Sequence, residues 1–179
     1  MTIAIAVKVG DGVVLGADSA ATLSGEGGIA NVYFNAEKIT NLVKGLPLGM
    51  AVYGLGGLDG RSIASLAKDL RARFTGNDPK WNLDAATYTM PWVAERVRAF
   101  FFDEYYLKEF PRKLRDANGN QVDKWEQMGF FVAGFSANAD HSESWTVEID
   151  AFCGGARQVP RVTTDGATDS AGDAASGRD

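Results

Sequence analysis

The first residues of the chain carry a pattern typical of a β-hairpin. Ile3, Ile5 and Val7 alternate with smaller or charged residues, which is the two-residue period of a strand. A Gly-Asp-Gly turn follows at residues 10–12, and the apolar run at 13–17 predicts the returning strand. Because alternate positions of this hairpin carry alanine, we expect another part of the protein to pack closely against that face.

Further strands are predicted in the first third of the chain. A glycine-rich stretch at residues 24–28 is interpreted as a loop. Short apolar runs follow at 32–34, 38–43 and 48–53, and the turn residues 44–47 join the last two. This part of the sequence therefore favours antiparallel pairs of short strands.

The period then changes to that of helices. After residue 60 the apolar residues recur three or four positions apart, which predicts an amphipathic helix with Asp59 as its N-cap. A second helical pattern, rich in aromatic residues, runs from about Pro91 toward Leu107, and Pro91 suits its first turn. The apolar positions of the first helix are Ile63, Leu66, Ala67, Leu70 and Phe74.

The last part of the chain predicts two strands and a tail. The polar stretch 112–122 is interpreted as an exposed hairpin tip or insertion. The apolar run 129–135 predicts a buried strand, and 144–150 should pair with it antiparallel. Strands, helices and strands in this order predict an α+β domain at residues 2–155. Residues 163–179 contain no apolar side chain larger than alanine, so we expect a disordered low-complexity tail.

Composition excludes several classes of protein. A chain of 179 residues fits one domain, and a net charge of -5 argues against electrostatic binding of nucleic acid. With neither a membrane-length apolar run nor a secretory signal, we expect a cytoplasmic protein. Cys153 and His141 are the only cysteine and histidine, so neither a disulfide nor metal-ligand spacing is present, and no cofactor is predicted. We interpret His141 as a solvated loop residue, so hydrolysis would need another base.

Thr2 offers a nucleophile and a base within one residue. Once Met1 is removed, the α-amine of Thr2, with an ordinary pKa of about 7.7–8.0, can accept the proton of its own hydroxyl. A buried lysine such as Lys38 would lower the pKa of that amine, and Asp18 would hold the lysine in place. The backbone amide of Gly54 could donate to a developing oxyanion. Taken one at a time, each residue also has an ordinary structural interpretation. Asp18 is then a turn residue, Lys38 a surface lysine, and Gly54 part of a glycine-rich turn before a helix.

Together these residues carry a resemblance to a known family. The stretch TIAIAVKVGDGVVLGADSAAT resembles the start of a proteasome β-type subunit, a threonine peptidase of the N-terminal nucleophile hydrolase family. Asp18 lies sixteen positions after Thr2 and is followed by Ser19, as in that family. The stretches EKITNL and MAVYGLGGLD resemble the family's lysine strand and its oxyanion-hole glycine, and VAGFS with WTVEID resembles its central strand pair.

The resemblance implies both a fold and an activity. It implies a four-layer αββα sandwich of two antiparallel sheets between helices, and cleavage of peptide or protein substrates. Thr2 would be the catalytic nucleophile, Asp18 and Lys38 would tune its amine, Gly54 would supply the oxyanion donor and Ser19 would support them. It also implies a homo-oligomeric ring and leaves an ATPase regulator open.

Other interpretations stay open at this point. The family's fold continues after the WTVEID strand with more helices and strands, whereas here the chain enters the low-complexity tail. An inactive subunit of the same fold, or a truncated homologue that acts only in assembly, is therefore one alternative. An α+β protein-interaction module that presents its aromatic helix is another.

Overall fold

The computed structural model describes residues 3–9, 11–25, 28–110, 127–149 and 154–158. This part of the chain is a mixed α+β protein with antiparallel sheets and few helices. The strands are β1 (Ala4–Val9), β2 (Gly12–Ala17), β3 (Ala21–Gly25), β4 (Gly28–Tyr33), β5 (Ile39–Asn41), β6 (Leu48–Gly54), β7 (Gly57–Leu58), β8 (Arg61–Ser62), β9 (Met128–Gly134), β10 (Glu143–Ile149) and β11 (Gly154–Gln158). The helices are α1 (Ile63–Phe74), α2 (Met90–Arg98), a π-helical segment (Ala99–Tyr106) and the single turn α3 (Leu107–Glu109).

The main sheet has five strands in the order β11-β10-β9-β6-β5, and every neighbouring pair is antiparallel. The central strand β9 is buried along almost its whole length. The prediction of a buried strand paired antiparallel with the following one is confirmed, with both strands starting one residue earlier than expected. The edge strand β11 was not predicted, and it extends to residue 158, past the expected end of the domain at residue 155.

The two faces of the sheet carry different layers. Met50 and Val132 belong to the core that the sheet forms with α1 and α2, and both are almost fully buried. Gly49 and Ala133 alternate with them and therefore face the other way. Leu15 of β2 contacts that second face, since its Cδ1 lies 3.0 Å from the position that a Cβ on Gly49 would take. The helices and the hairpin thus cover opposite faces of the sheet.

The first helix begins at a different cap from the one predicted. Ser62, not Asp59, is the N-cap, because its Oγ accepts the N–H of Ser65 at 3.2 Å. Asp59 instead lies in the turn between β7 and β8, with a positive φ of 53°. The physical reason is that these two short strands occupy the residues before the helix and postpone its start.

The second helix begins as predicted, with Thr89 as its N-cap and Pro91 in the first turn. After Arg98 it continues as the π-helical segment. Phe100, Phe101 and Phe102 are consecutive there and all buried, which spans a wider arc than one face of an α-helix offers.

The hairpin β1–β2 is confirmed, and β3 pairs antiparallel with β4. The loop predicted at residues 24–28 is wrong at its ends, because Ser24 and Gly25 end β3 and Gly28 begins β4. Leu15 points toward the sheet, whereas several large side chains point outward, with Ile3 63% and Val7 48% exposed. The outer face is therefore apolar.

His141 is exposed in the loop before β10, as predicted. Within the described ranges, no helix has both the length and the apolar character needed to cross a membrane. Thr2, the predicted insertion at 112–122, Cys153 and the predicted tail at 163–179 lie outside the described residues.

Candidate active site

Asp18 follows β2 directly and joins the two ends of the hairpin. Its Oδ1 accepts the N–H of Ile3 at 2.9 Å, and its own N–H donates to the carbonyl oxygen of Ile3 at 3.0 Å. Its second oxygen, Oδ2, accepts the N–H of Ala20 at 3.3 Å. The Ile3 amide belongs to the peptide bond that links Thr2 to Ile3. The carboxylate is thus fixed at the chain position next to the predicted nucleophile.

Lys38 completes this group from a distant part of the sequence. Its Nζ lies 3.0 Å from Oδ1 of Asp18 and also donates to the carbonyl oxygen of Ala20. The side chain is only 10% exposed. Its main chain is held to the sheet because the N–H of Val52 donates to the carbonyl oxygen of Lys38 at 2.9 Å. One carboxylate and one carbonyl therefore position this partly buried ammonium.

The electrostatics of the group favour a charged pair. The pKa of Asp18 is lowered from its ordinary value of 3.8, first by the hydrogen bond from Lys38 and then by that from the Ile3 amide. Desolvation acts in the opposite direction and is outweighed. The carboxylate is therefore ionised throughout the neutral range and offers Lys38 a constant counter-ion.

Gly54 ends β6 in a conformation that favours glycine. Its φ is +85°, and a Cβ added to it would lie 2.3 Å from the carbonyl oxygen of Gln127. At Gly54, in the predicted glycine-rich turn, the main chain thus passes very close to the start of β9. Gly54 and Lys38 both line one cavity.

This cavity has a volume of about 350 Å³. Apolar walls come from Val52 and Ile63, whereas Glu37 and Ser62 contribute polar groups. A cavity of this size accommodates one side chain or a short segment of a peptide. The arrangement offers a positioned cation and its counter-ion, with a cavity on the side of Lys38.

The structure brings together only some of the predicted site residues. Asp18 and Lys38 are in contact, and Gly54 shares the cavity with Lys38. Ser19 is exposed, and its carbonyl oxygen accepts the N–H of Ala36 at 2.9 Å. Thr2 itself lies outside the described residues.

Sequence reasoning missed two participants. Ala20 acts through its carbonyl oxygen, for which an alanine side chain gives no signal. Glu37 lines the cavity beside Lys38, and its position next to the predicted lysine in EKITNL was the available clue. Across the described residues, no group of three or more His, Cys, Asp or Glu could hold a metal ion. Comparison of the chain with protein-family models and with curated proteins finds no match.

Proposed function

We propose that the protein is a threonine-type peptidase of the N-terminal nucleophile hydrolase family, similar to proteasome β subunits. One observation carries the proposal. The Asp18 carboxylate binds both the Lys38 ammonium and the amide that follows Thr2, so a partly buried cation lies near the start of β1. A hydroxyl and an amine at residue 2 need such a neighbour in order to react at neutral pH.

The reaction starts after removal of Met1. The free α-amine of Thr2 takes the proton of its own hydroxyl, and Oγ attacks the carbonyl carbon of the substrate peptide bond. Lys38 lowers the pKa of that amine by like-charge repulsion, which keeps the amine unprotonated. The developing oxyanion accepts a hydrogen bond from the main-chain N–H of Gly54.

Collapse of this intermediate breaks the peptide bond. The leaving amine takes the proton from the α-ammonium of Thr2, and the acyl group stays on Oγ as an ester. Water then attacks the ester, the α-amine accepts the proton of that water, and the proton returns to Oγ as the acid product leaves. Each cycle thus consumes one peptide bond and one water molecule.

The proposal includes the four-layer αββα architecture. The described residues supply a helical layer, the five-stranded sheet and the hairpin on its opposite face. A second helical layer would pack on the outer face of the hairpin, where Ile5 and Val9 are exposed. The ring assembly, the ATPase regulator and the cytoplasmic location that the resemblance implies belong to the same proposal.

An inactive subunit of the same fold is the second candidate. The observation in its favour is the exposed apolar face of the hairpin, which suits assembly with another chain as well as an internal layer. The two candidates differ in whether Thr2 is freed and whether peptides are turned over.

Hydrolysis of a set of fluorogenic peptides tests the proposal. We expect intact-mass measurement to show loss of Met1, turnover by the wild type, no turnover by Thr2→Ala and retained turnover by Thr2→Ser. Lys38→Met should lower kcat by at least about 100-fold, in the range that a tuned base contributes, while circular dichroism shows the fold intact. Lys44→Met is the matched control, because Lys44 is exposed and does not line the cavity, so kcat should be unchanged. Retained Met1 with no turnover would favour the inactive subunit.

A further inference from the structure

The arginines of β8, α1 and α2 differ in what they bind. Four of the described ones bind an oxygen atom of another residue. Within the described part of the chain, Arg96 on α2 forms no ion pair, and its buried Nε has no hydrogen-bond acceptor. The four arginines with their partners are Arg61 with Asp69, Arg71 with the carbonyl oxygen of Asn41, Arg73 with Glu104, and Arg98 with Glu95 and Asp103.

Arg96 is held instead by two tryptophan rings. Its Cζ lies 5.2 Å from the ring centroid of Trp92 and 5.8 Å from that of Trp81. Trp92 and Arg96 are four residues apart on α2 and therefore share one face of the helix. The Nε of Arg96 is buried without a partner, and the residue as a whole is partly exposed. The two rings thus hold the guanidinium on a partly exposed face of the helix.

Lys80, which forms no ion pair within the described residues, is a second cation on the same ring. The Nζ of Lys80 is 5.4 Å from the ring centroid of Trp81, and Lys80 is exposed. Arg73 also contacts Trp81, at 4.8 Å, but Glu104 neutralises it. Trp81 is almost fully buried and anchors both free cations.

We propose that Arg96 and Lys80 form a docking site for carboxylates of an acidic peptide segment of a partner protein. A guanidinium stacked on aromatic rings loses little conformational freedom on binding, and its fork matches a planar carboxylate with two parallel hydrogen bonds. The site shares no residue with the cavity beside Lys38, so it does not depend on the proposed peptidase activity.

Charge favours a short acidic peptide over a nucleic acid. The chain has a net charge of -5, which repels a long polyanion. The carboxylate of Asp78 also lies beside the site, because its Oδ1 accepts the main-chain N–H of Lys80 at 2.9 Å. Because the site has two cations and a nearby carboxylate, it matches a ligand with one or two carboxylates better than a chain of phosphates.

Titration of the full-length protein with a short polyglutamate peptide at low ionic strength tests this site. The readout is the ¹⁵N resonance of the Arg96 Nε–Hε group, together with the indole resonances of Trp81 and Trp92. We expect a saturable shift of these resonances. Arg96→Lys should weaken binding at least about tenfold, since an ammonium lacks the planar fork. Lys80→Ala should weaken binding several-fold, and Lys68→Ala, another exposed lysine of the helical layer, should leave it unchanged.

Three further arms decide the chemistry of the ligand. Polyglutamine should produce no shift, because it has the same backbone without the charge. Inorganic phosphate and a short oligonucleotide should bind more weakly than polyglutamate. The proposal is overturned if polyglutamate gives no saturable shift, if Arg96→Lys binds as tightly as the wild type, or if phosphate or the oligonucleotide binds more tightly. If Arg96→Lys does not fold, the presence or absence of a saturable shift of the Arg96 resonance in the wild type still tests the proposal.

Discussion

The ammonium of Lys38 lies 3.0 Å from Oδ1 of Asp18, on the same oxygen that accepts the N–H of Ile3 at 2.9 Å. One carboxylate oxygen thus connects the strand that begins after Thr2 with Lys38, which lies twenty residues after Asp18 in the chain. Because the Lys38 side chain is only 10% exposed, water screens its charge less than that of a surface lysine. This pair is the physical basis of the proposed activity.

The first prediction concerns the pH dependence of stability. The pKa of Asp18 is lower in the folded protein than its ordinary value of 3.8, so the pair stabilises the fold above about pH 4. That stabilisation should be lost as the pH falls through the folded pKa, when the carboxylate is protonated. An NMR titration of the Asp18 carboxyl group should give a midpoint below 3.8.

The variant Lys38→Met provides the control for this prediction. Removal of the ammonium takes away the largest cause of the shift, so the midpoint of Asp18 should rise toward its ordinary value. A wild-type midpoint at or above 3.8 would show that the contact between the two residues is not maintained in solution.

The second prediction concerns Gly54. We expect Gly54→Ala to lower the free energy of unfolding by more than the about 1–2 kcal/mol that a left-handed alanine costs, because the new Cβ would also collide with the carbonyl oxygen of Gln127. Gly45→Ala is a matched control, since Gly45 has a similar φ of +87° with open space around it. This substitution should lower the free energy of unfolding only by the cost of the left-handed conformation. Gly56→Ala, with open space around it, should stay within about 0.5 kcal/mol. Urea denaturation measures all three, and equal costs for Gly54 and Gly45 would contradict the close approach.

Some strands and helices could be predicted from the sequence, and others could not. The hairpin and the β9–β10 pair were predicted because apolar and polar residues alternate in β1 and β10, and because β2 and β9 are apolar runs. The cap at Ser62 was missed because two-residue strands before α1 have no sequence pattern of their own. Strand β11 was missed because Gly154 and Gly155 do not favour strands, and pairing with β10 determines its structure.

For the candidate site, the chemical roles of the residues could be predicted from the sequence, but their contacts could not. Asp18, Lys38 and Gly54 were selected by a resemblance and by their chemical roles, whereas their spacing in the chain says nothing about contact. The acceptor at Ala20 is a backbone carbonyl and leaves no trace in the sequence. Nothing in the sequence distinguishes Arg96, since only tertiary packing places Trp81 beside it.

The third prediction concerns the outer face of the hairpin. Val7 is 48% exposed, so Val7→Thr should change the free energy of unfolding by no more than about 0.5 kcal/mol. Leu66→Ala, in the core under α1, should cost about 2–5 kcal/mol. A dye that fluoresces on apolar surfaces should bind the wild type and bind Val7→Thr less. If Val7→Thr costs as much as Leu66→Ala, this face is covered in solution.

The most direct test of the proposed activity is covalent labelling by an electrophilic probe directed at N-terminal threonine, followed by peptide mapping. The wild type should be modified at Thr2, on protein that has lost Met1, and Thr2→Ala should remain unlabelled. Lys38→Met should be labelled much more slowly at neutral pH and recover part of its rate at higher pH, where the amine is unprotonated without help. Folded protein that has lost Met1 and stays unlabelled, or is labelled equally fast in Lys38→Met, would contradict the proposed mechanism.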